Sequence, residues 1–168
     1  NVMVEKLLET ATLDGDSLTF VKESINIVEI LKTLVEKHQM QTEYKTIDFS
    51  SPSDNIMASV DVFHFENAIN NILDNAIKYG GNEIMVTVQQ IPNSFTVSIS
   101  DNGNTITKAN KDKIFEKFYR VNSSKNENIS GTGLGLTVSA AIIEAQHGEL
   151  RVKSTLNKGS TFTIVFTI

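Results

Sequence analysis

The chain has 168 residues, the length of one ordinary domain, and its 40% hydrophobic and 21% charged residues are typical of a globular fold. Its formal net charge of -5 argues against a general nucleic-acid surface, and the lack of cysteine excludes disulfides, thiol nucleophiles and thiolate zinc sites. No apolar run approaches the ~20 residues that a membrane-spanning helix needs. Because the chain opens on Asn1 without a signal peptide, we expect it to be a segment of a longer protein.

The first third of the chain alternates between helical and strand periodicity. Residues 1–12 have helical spacing but little to pack against, which is expected for the end of a helix from a preceding domain. The elements predicted after it are a strand at 17–25, a helix at 26–39 and strands at 42–50 and 55–61. The chain then enters a longer helix, whose apolar positions recur from Val62 to Ala76 at spacings of three and four.

The remainder of the chain is mostly strand. A hairpin is predicted around Pro92 and Asn93, and a basic helical stretch leads into a polar run that we expect to be mobile. A further helix is predicted to end at His147 and Gly148, since glycine is favoured just past a helix end. The predicted segments are strands at 83–90 and 94–101, the basic stretch at 110–121, the polar run at 122–130, the helix at 136–146, and strands at 148–155 and 160–168. The order predicts an α+β fold, a two-layer sandwich with helices on one face of a mixed, mostly antiparallel sheet.

Four asparagines crowd into the long helix. Each is less favourable than alanine in a helix interior, by up to ~0.7 kcal/mol, because asparagine competes for backbone hydrogen bonds and normally lies at caps and turns. Three of them recur at every fourth position and a lysine continues the same row; the row consists of Asn67, Asn71, Asn75 and Lys78. A row of three amides and one ammonium predicts a polar ligand beside the helix.

A run of glycines opens the helix that follows the polar run, in SGTGLGLTVSAA at 130–141. Glycines let a ligand approach the backbone, and the free amides and positive dipole end of a helix favour phosphate. The GxxxxGK[ST] pattern is absent, and the dinucleotide fingerprint fails because its third glycine would fall at Leu136. The run therefore predicts an anion site, with a tight structural turn as the alternative.

A carboxylate ends the second hairpin strand, in SISDNGNTI at 98–106. Asp101 alone could simply cap a turn. Asp101 follows the asparagine row in the sequence, and a basic segment and then the glycine run follow Asp101. This order of motifs favours a ligand-binding role for Asp101.

Five motifs in this order make the chain resemble the ATP-binding catalytic domain of sensor histidine kinases, within the GHKL superfamily that also holds type II topoisomerase, heat-shock chaperone and mismatch-repair ATPases. The motifs are the N box NNILDNAIKYG (70–80), the first glycine box DNGNTI (101–106), the phenylalanine box IFEKFYRV (114–121), the second glycine box GTGLGLTVSAAIIEAQHGEL (131–150) and the closing glycine–threonine motif KGSTFTIVF (158–166). The resemblance covers nearly the whole chain and implies the Bergerat ATP-binding fold. Because 3–18 is similar to the end of the family's dimerisation helix and the next strand, we expect a helix remnant or linker at 1–14 and the catalytic domain at 15–168.

The resemblance implies a role for each matched residue. Asn75 is expected to give its amide oxygen to Mg²⁺, and Lys78 to reach the phosphates as a point charge. Asp101 is expected to accept a hydrogen bond from the adenine amino group, which would reject the carbonyl of guanine. Gly103 is expected to leave room for the base, and Thr161 to support Asp101 directly or through water.

The remaining contacts to the cofactors ATP and Mg²⁺ are expected from the end of the long helix, the basic lid at 104–130 and the second glycine box. Tyr79 offers an apolar ring and a polar tip at the pocket wall, while Lys117 or Arg120 closes over the phosphates. The whole expected cofactor-binding set is Asn71, Asn75, Lys78, Tyr79, Asp101, Gly103, Ile106, Lys117, Phe118, Arg120, Gly131, Thr132, Gly133, Leu134, Gly135, Leu136 and Thr161.

Asn71 separates a kinase from a hydrolase. In the ATPase branches of the superfamily a glutamate four residues before the magnesium asparagine activates water, and an amide cannot take a proton from water at neutral pH. Glu66 lies nine residues before Asn75, about half a turn away around the helix. The expected catalytic residues are therefore Asn71, Asn75 and Lys78, and phosphoryl transfer depends on positioning and on a nucleophile from outside the chain.

None of the three histidines fits a phosphoacceptor box, since none precedes an acidic residue: the pairs are His38–Gln39, His64–Phe65 and His147–Gly148. Structural or surface roles are expected for all three. The acceptor histidine is then expected on dimerisation helices that this chain lacks.

The resemblance therefore implies a histidine kinase domain of a two-component system. Its expected partners are ATP, its own dimerisation and histidine-phosphotransfer domain in a full-length homodimer, and the receiver domain of a response regulator. No nucleic acid and no direct membrane contact are expected, and the domain would be the cytoplasmic part of an inner-membrane sensor kinase. Two alternatives stay open: a serine kinase of the anti-sigma type, and a nucleotide-binding regulatory module without catalysis, for which Thr105 in place of the first box's second glycine is the hint.

Overall fold

The computed structural model describes residues 19–103, 113, 135–155 and 158–168. Three helices lie in this part of the chain: α1 (Ile27–Met40), α2 (Val62–Tyr79) and α3 (Gly135–Ala145). The strands are β1 (Glu23–Asn26), β2 (Thr46–Ser50), β3 (Met57–Val60), β4 (Glu83–Ile91), β5 (Ser94–Asp101), β6 (Glu149–Thr155) and β7 (Gly159–Thr167). None of the helices in the described ranges is long and apolar enough to span a membrane.

Five strands form the main sheet in the order β2-β4-β5-β7-β6, and β1 pairs with β3 in a separate two-stranded sheet. Only β2 and β4 run parallel in the main sheet; the other neighbours are antiparallel. The predicted α+β sandwich with a mixed, mostly antiparallel sheet is therefore confirmed. This strand order fixes which strand ends lie next to one another at the site.

The main sheet buries one face against the helices. Along β5, Phe95, Val97 and Ile99 are buried, whereas the serine and threonine residues between them are only half-buried on the other face. This alternation is what a sheet with one covered face requires. Phe65 of α2 packs its ring against Phe95 and Phe166, and a ring of this size contributes about 1.5–3 kcal/mol by leaving water.

Helix α2 begins and ends where its sequence supplies partners for the backbone. Asp61 caps the start, with its side chain accepting a hydrogen bond from the His64 N–H at 3.0 Å. Gly80 follows the last turn, and its N–H donates to the Ala76 carbonyl at 2.9 Å. Aliphatic residues at the spacing of one face are fully buried, namely Ile69, Ile72 and Leu73.

Helix α3 packs antiparallel to α2, and two hydrogen bonds define the alignment. The Ser139 hydroxyl donates to the Ala68 carbonyl at 3.3 Å, and the Asp61 N–H donates to Gln146 Oε1 at 3.2 Å. Counting back from Ala68 to Asp61 and on from Ser139 to Gln146 gives the same seven steps on both helices. The start of α3 therefore lies level with the middle of α2, near Ile72, since each residue adds about 1.5 Å along either axis.

Several predicted boundaries differ from the structure. The strand predicted at 17–25 is reduced to β1 within the described residues, and the strand predicted at 42–50 begins only at Thr46. The Gln39 side chain explains the second difference, because it donates to the carbonyls of Thr42 and Lys45 and holds this stretch in an irregular turn. Past α3 it is His147, at φ 61°, that takes the left-handed conformation predicted for glycine. Gly148 is needed for space, since a Cβ there would lie 2.8 Å from the Val165 carbonyl oxygen.

Candidate functional site

The amides of α2 divide into two groups. Asn70 points to α1, where its Oδ1 lies 2.8 Å from Nε2 of the buried His38. Asn71 and Asn75 are half-buried on a different face of α2, and within the described residues no hydrogen bond joins either side chain to another group. Lys78 continues that face and is exposed. The predicted row is thus present on the helix, and Asn70 is a structural residue outside it.

Asn75 follows Ala68, whose carbonyl accepts from Ser139 of α3, by seven residues or about two helical turns, so this part of the row lies on the side of α2 that faces α3. Because the start of α3 lies level with Ile72, Gly135 is placed beside the stretch of α2 that carries Asn71 and Asn75. A helix start offers backbone N–H groups and a positive dipole end. Amide side chains and a helix start therefore come together here, an arrangement that suits the charged oxygens of a phosphate.

Asp101 lies at the end of β5, beyond the last turn of α2. In the sheet it is paired with Ile84 on one side and with Ser160 on the other. Burial raises the pKa of the Asp101 carboxyl above its usual range, although N–H groups of Gly103 and Gly81 and the charge of Lys45 oppose this. The Gly103 N–H donates to Asp101 Oδ1 at 2.7 Å. A desolvated carboxylate retains acceptor capacity beyond these two backbone donors, so it can bind a further donor from a ligand.

Glycines of the turn after α2 and of the turn after β5 pack tightly against each other beside Asp101. A Cβ on Gly80 would lie 2.7 Å from Asp101 Cγ, and one on Gly103 would lie 2.6 Å from the Gly81 nitrogen. The close approach of the Gly80–Gly81 backbone therefore explains the glycine at 103, and its expected role of leaving room for a base stays a prediction. The glycines let the turn after α2 and the turn after β5 pack directly against each other, which fixes the position of the carboxylate.

The structure does not bring the Thr161 hydroxyl into direct contact with Asp101, and support through water stays a prediction. Thr161 is paired with Ser100, and its hydroxyl lies 2.8 Å from the Ser100 hydroxyl. Neighbouring residues of a strand point to opposite faces, so Thr161 and Ser100 lie on the outer face of the sheet while Asp101 faces the helices. Ser160 is the buried residue of β7 directly opposite Asp101.

Lys45 is a residue of this site that no sequence motif indicated. Its Nζ donates to the Gly80 carbonyl at 3.0 Å, and its charge acts on Asp101. No periodicity marks this lysine in the sequence. Only the parallel pairing of β2 with β4, which sets Thr46 beside Glu83, brings it to the turn after α2.

Other predicted site residues are described only in part. Tyr79 is half-buried at the end of α2, and Leu136 packs on the hydrophobic core from α3. Gly135 is the first residue of α3. The following predicted positions lie outside the described residues: Ile106, Lys117, Phe118, Arg120, Gly131, Thr132, Gly133 and Leu134.

Two of the histidines have structural contacts, as predicted. His38 joins α1 to α2 through Asn70 and through Asp74, whose Oδ1 lies 3.5 Å from its Nδ1. The ring of His64 lies 2.8 Å from Asp61 Oδ1 and makes an edge contact with Phe20. His147 ends α3 in the left-handed conformation described above.

Residues 60–168 match the model of the family described as histidine kinase-, DNA gyrase B- and HSP90-like ATPases. The chain belongs to this family. The matched range contains the asparagine row, Asp101 and α3, the features that form the candidate site. The resemblance seen in the motifs is therefore confirmed, and the chain is an ATP-binding domain of the GHKL type found in sensor histidine kinases.

Individual relatives agree with this assignment. The chain is 31% identical to the sensor protein kinase WalK of Staphylococcus haemolyticus over 166 residues, which is 96% of this chain and 27% of WalK. It therefore spans about a quarter of the length of that relative.

Two solved histidine kinases share the fold. The catalytic domain of ThkA, in a nucleotide-free form, has a TM-score of 0.75 at 22% identity, with 88% of this chain and 96% of that chain covered. Full-length ShkA in complex with AMPPNP has a TM-score of 0.76 at 20% identity, covering 98% of this chain and 35% of ShkA. ThkA in complex with the response regulator TrrA has a TM-score of 0.76 at 18% identity, covering 99% of this chain and 47% of that chain.

Proposed function

We propose that this domain binds Mg-ATP and transfers the γ-phosphoryl group to a histidine on a dimerisation domain outside this chain, as the catalytic part of a two-component sensor kinase. The observation that carries the proposal is the distribution of polar groups along α2. Asn71 and Asn75 lie beside the start of α3, and the desolvated Asp101 lies beyond the end of α2. Phosphates at the first position and adenine at the second would match both chemistries.

Asn75 is the proposed ligand for Mg²⁺. Its amide is half-buried, has no hydrogen-bond partner within the described residues, and offers the neutral oxygen that this hard cation accepts. Mg²⁺ in such sites uses few protein ligands and takes the rest from phosphate oxygens and water. When bound, the ion would neutralise charge on the β- and γ-phosphates, while Lys78 adds a point charge nearby.

Water is not the expected acceptor, because Asn71 stands at the position from which a glutamate would activate it. The amide can donate to a phosphate oxygen or accept from water, but it cannot hold a proton taken from water. An imidazole nitrogen needs no such base, since its free lone pair can form the N–P bond as the bond between γ-phosphorus and the leaving oxygen of ADP breaks. The residues of this chain then contribute by binding and orienting ATP.

The proposed partners follow from the same reaction. Residues 1–14 would connect the domain to the dimerisation helices that carry the acceptor histidine, in a homodimer of the longer protein. A response regulator would then receive the phosphoryl group, as the ThkA–TrrA complex suggests by analogy. We also propose that the domain lies on the cytoplasmic side of a membrane-anchored sensor, as its motif resemblance to sensor histidine kinases implies.

The test uses this chain together with a separately purified dimerisation domain from the same protein. Radiolabelled Mg-ATP should yield acid-labile phosphohistidine on the dimerisation domain and none on this chain alone. Asn75→Ala and Asn75→Asp should abolish the transfer while leaving the circular dichroism spectrum and Tm nearly unchanged. Retained transfer in either variant would reject Asn75 as the magnesium ligand.

Asn70→Ala is the matched control, because it removes the same amide from the same helix on the side that faces His38. It should lower the Tm and leave the transfer rate per folded molecule unchanged. Rapid multiple-turnover phosphate release by this chain alone would instead support a hydrolase and overturn the kinase proposal.

A further inference from the structure

Hydrogen bonds to the main chain around Lys45 hold this residue in place, independently of the contacts of its side chain. The Gln39 side chain donates to the Lys45 carbonyl at 3.0 Å and accepts from the Ile47 N–H at 2.7 Å. The next residue, Thr46, donates from its N–H to the Asn82 carbonyl at 2.9 Å. Lys45 therefore directly precedes the edge strand β2, at a position fixed both to α1 and to the turn after α2.

The Lys45 ammonium contacts that turn directly. Its Nζ donates to the Gly80 carbonyl at 3.0 Å, 35 residues further along the chain. Carbonyls at the end of a helix lack helical partners and carry the negative end of its dipole, so a cation is favoured there. Burial lowers the pKa of Lys45, and the charge of Asp101 opposes this effect.

Gly80 links Lys45 to the carboxylate. The backbone of Gly80 lies in van der Waals contact with the Asp101 side chain, since a Cβ there would come within 2.8 Å of both Asp101 Cβ and Cγ. Gly81 approaches Asp101 from the same turn, and its N–H lowers the pKa of the carboxyl. A shift of this turn would therefore move a wall and a donor of the carboxylate together.

We propose that Lys45 is a positioning residue for adenine recognition, which holds the Gly80–Gly81 turn against Asp101 and supplies the positive charge beside it. The inference rests on the proposed nucleotide site and deepens it. Lys45 acts through Gly80 and through its field at Asp101, not by touching the base. It keeps the carboxylate in one orientation and ionised, ready to accept the adenine amino group.

Other titratable groups lie on the elements around Asp101. Within the described residues these are Lys78 and Tyr79 at the end of α2, Glu83 at the start of β4, and the exposed Lys158 just before β7. Lys78 and Glu83 are exposed, whereas Lys45 is partly buried and its charge acts on the pKa of Asp101. Removing Lys45 is therefore expected to raise the pKa of Asp101 further. As the pH is lowered, the variant would then lose ATP binding at a higher pH than the wild type does.

The test measures Mg-ATP and Mg-GTP dissociation constants by calorimetry on this chain, from pH 5.5 to 8. Lys45→Met should weaken ATP binding about 5- to 10-fold at neutral pH and leave the weak GTP binding nearly unchanged. Its ATP affinity should begin to fall at a higher pH than in the wild type. Lys45→Arg, which retains a donor and the charge, should restore most of the affinity and the original pH profile.

Lys32→Met is the matched control, because Lys32 makes an exposed ion pair with Asp54 at 3.1 Å and no contact with this site. It should match the wild type for both nucleotides. Equal weakening of ATP and GTP by Lys45→Met, with an unshifted pH profile, would show a merely structural role and overturn the inference alone. A wild-type domain that does not prefer ATP to GTP would overturn both this inference and the proposed adenine site.

Discussion

Two aspartates flank helix α2, Asp61 at its start and Asp101 beyond its end, and their carboxylates have opposite environments. The Asp61 cluster consists of Asp61, Val21, His64 and Gln146, at the start of the helix. Asp61 Oδ2 accepts from the Val21 N–H at 2.8 Å, and Oδ1 accepts from both the backbone and the ring of His64. Burial by itself would raise the pKa of Asp61, but these hydrogen bonds lower it below the usual range.

The Asp101 cluster consists of Asp101, Lys45, Gly80, Gly81 and Gly103, beyond the end of the helix. Here burial outweighs the two N–H donors and the lysine charge, and the pKa of Asp101 is raised. The difference shows how the buried carboxylate of Asp61 and the half-buried carboxylate of Asp101 can be distinguished. A carboxylate whose oxygens all accept hydrogen bonds from its own chain stabilises the fold. A carboxylate whose removal from water is not offset by such bonds is suited to bind a ligand.

Replacing Asp101 should give the largest effect on binding. Asp101→Asn presents an amide where adenine needs a charged acceptor, so ATP affinity should fall by about 1–3 kcal/mol, roughly 5- to 150-fold. The free energy of unfolding of the empty domain should stay equal or rise, because the variant need not hold a desolvated charge. Calorimetry for ATP and thermal unfolding without nucleotide measure the two quantities. If Asp101→Asn caused a large loss of stability and left ATP binding unchanged, Asp101 would be a structural carboxylate and the comparison would be inverted.

Replacing Asp61 should affect stability instead. In Asp61→Asn the remaining oxygen could still accept the hydrogen bond that caps the helix. The NH₂ group, however, would replace the second oxygen and would face a hydrogen-bond donor. The substitution should therefore cost about 1–3 kcal/mol of unfolding free energy and lower the Tm by several degrees. ATP affinity per folded molecule should not change, and a clear loss of affinity would mean that the two clusters are coupled through α2.

The pH dependence of stability sharpens the Asp61 result. A carboxyl whose pKa is lowered on folding contributes stability above its unfolded pKa, near 3.8, and loses it as the pH falls through the lower folded pKa. The difference in unfolding free energy between wild type and Asp61→Asn should thus shrink towards acid pH. Asp101 has the opposite sign, since its contribution is complete below the unfolded pKa and is lost as the pH rises through the raised folded pKa. Urea unfolding at several pH values measures both differences.

The sequence predicted the fold and the asparagine row because both depend on local periodicity. Alternation along β5 and the three-and-four spacing of α2 each specify a buried face without reference to other elements. Asn71 and Asn75 follow the same geometry, so their shared face could be predicted from spacing alone. The Asp101 cluster is different, because Lys45 reaches it only through a parallel strand pairing between segments far apart in the sequence.

Register is the other limit of prediction. The motif KGSTFTIVF contains adjacent hydroxyl residues, and nothing local decides which of them shares a face with Asp101. Because side chains alternate along a strand, an error of one residue exchanges the inner face for the outer face. Thr161 is the residue expected from the motif, whereas the pairing of β5 with β7 sets Ser160 opposite Asp101.

The smallest predicted effect tests this correction. Thr161→Val removes a hydroxyl that bonds to Ser100 on the outer face, so it should cost about 0.5–1.5 kcal/mol of stability and leave ATP affinity within about twofold of the wild type. Ser160→Ala removes the buried hydroxyl opposite Asp101 and should weaken ATP binding several-fold while leaving the outer face intact. The two variants are matched, since each deletes one hydroxyl from neighbouring positions of one strand. If Thr161→Val weakened ATP binding more than Ser160→Ala, the support of Asp101 would come from the outer face, and the register-based correction would be wrong.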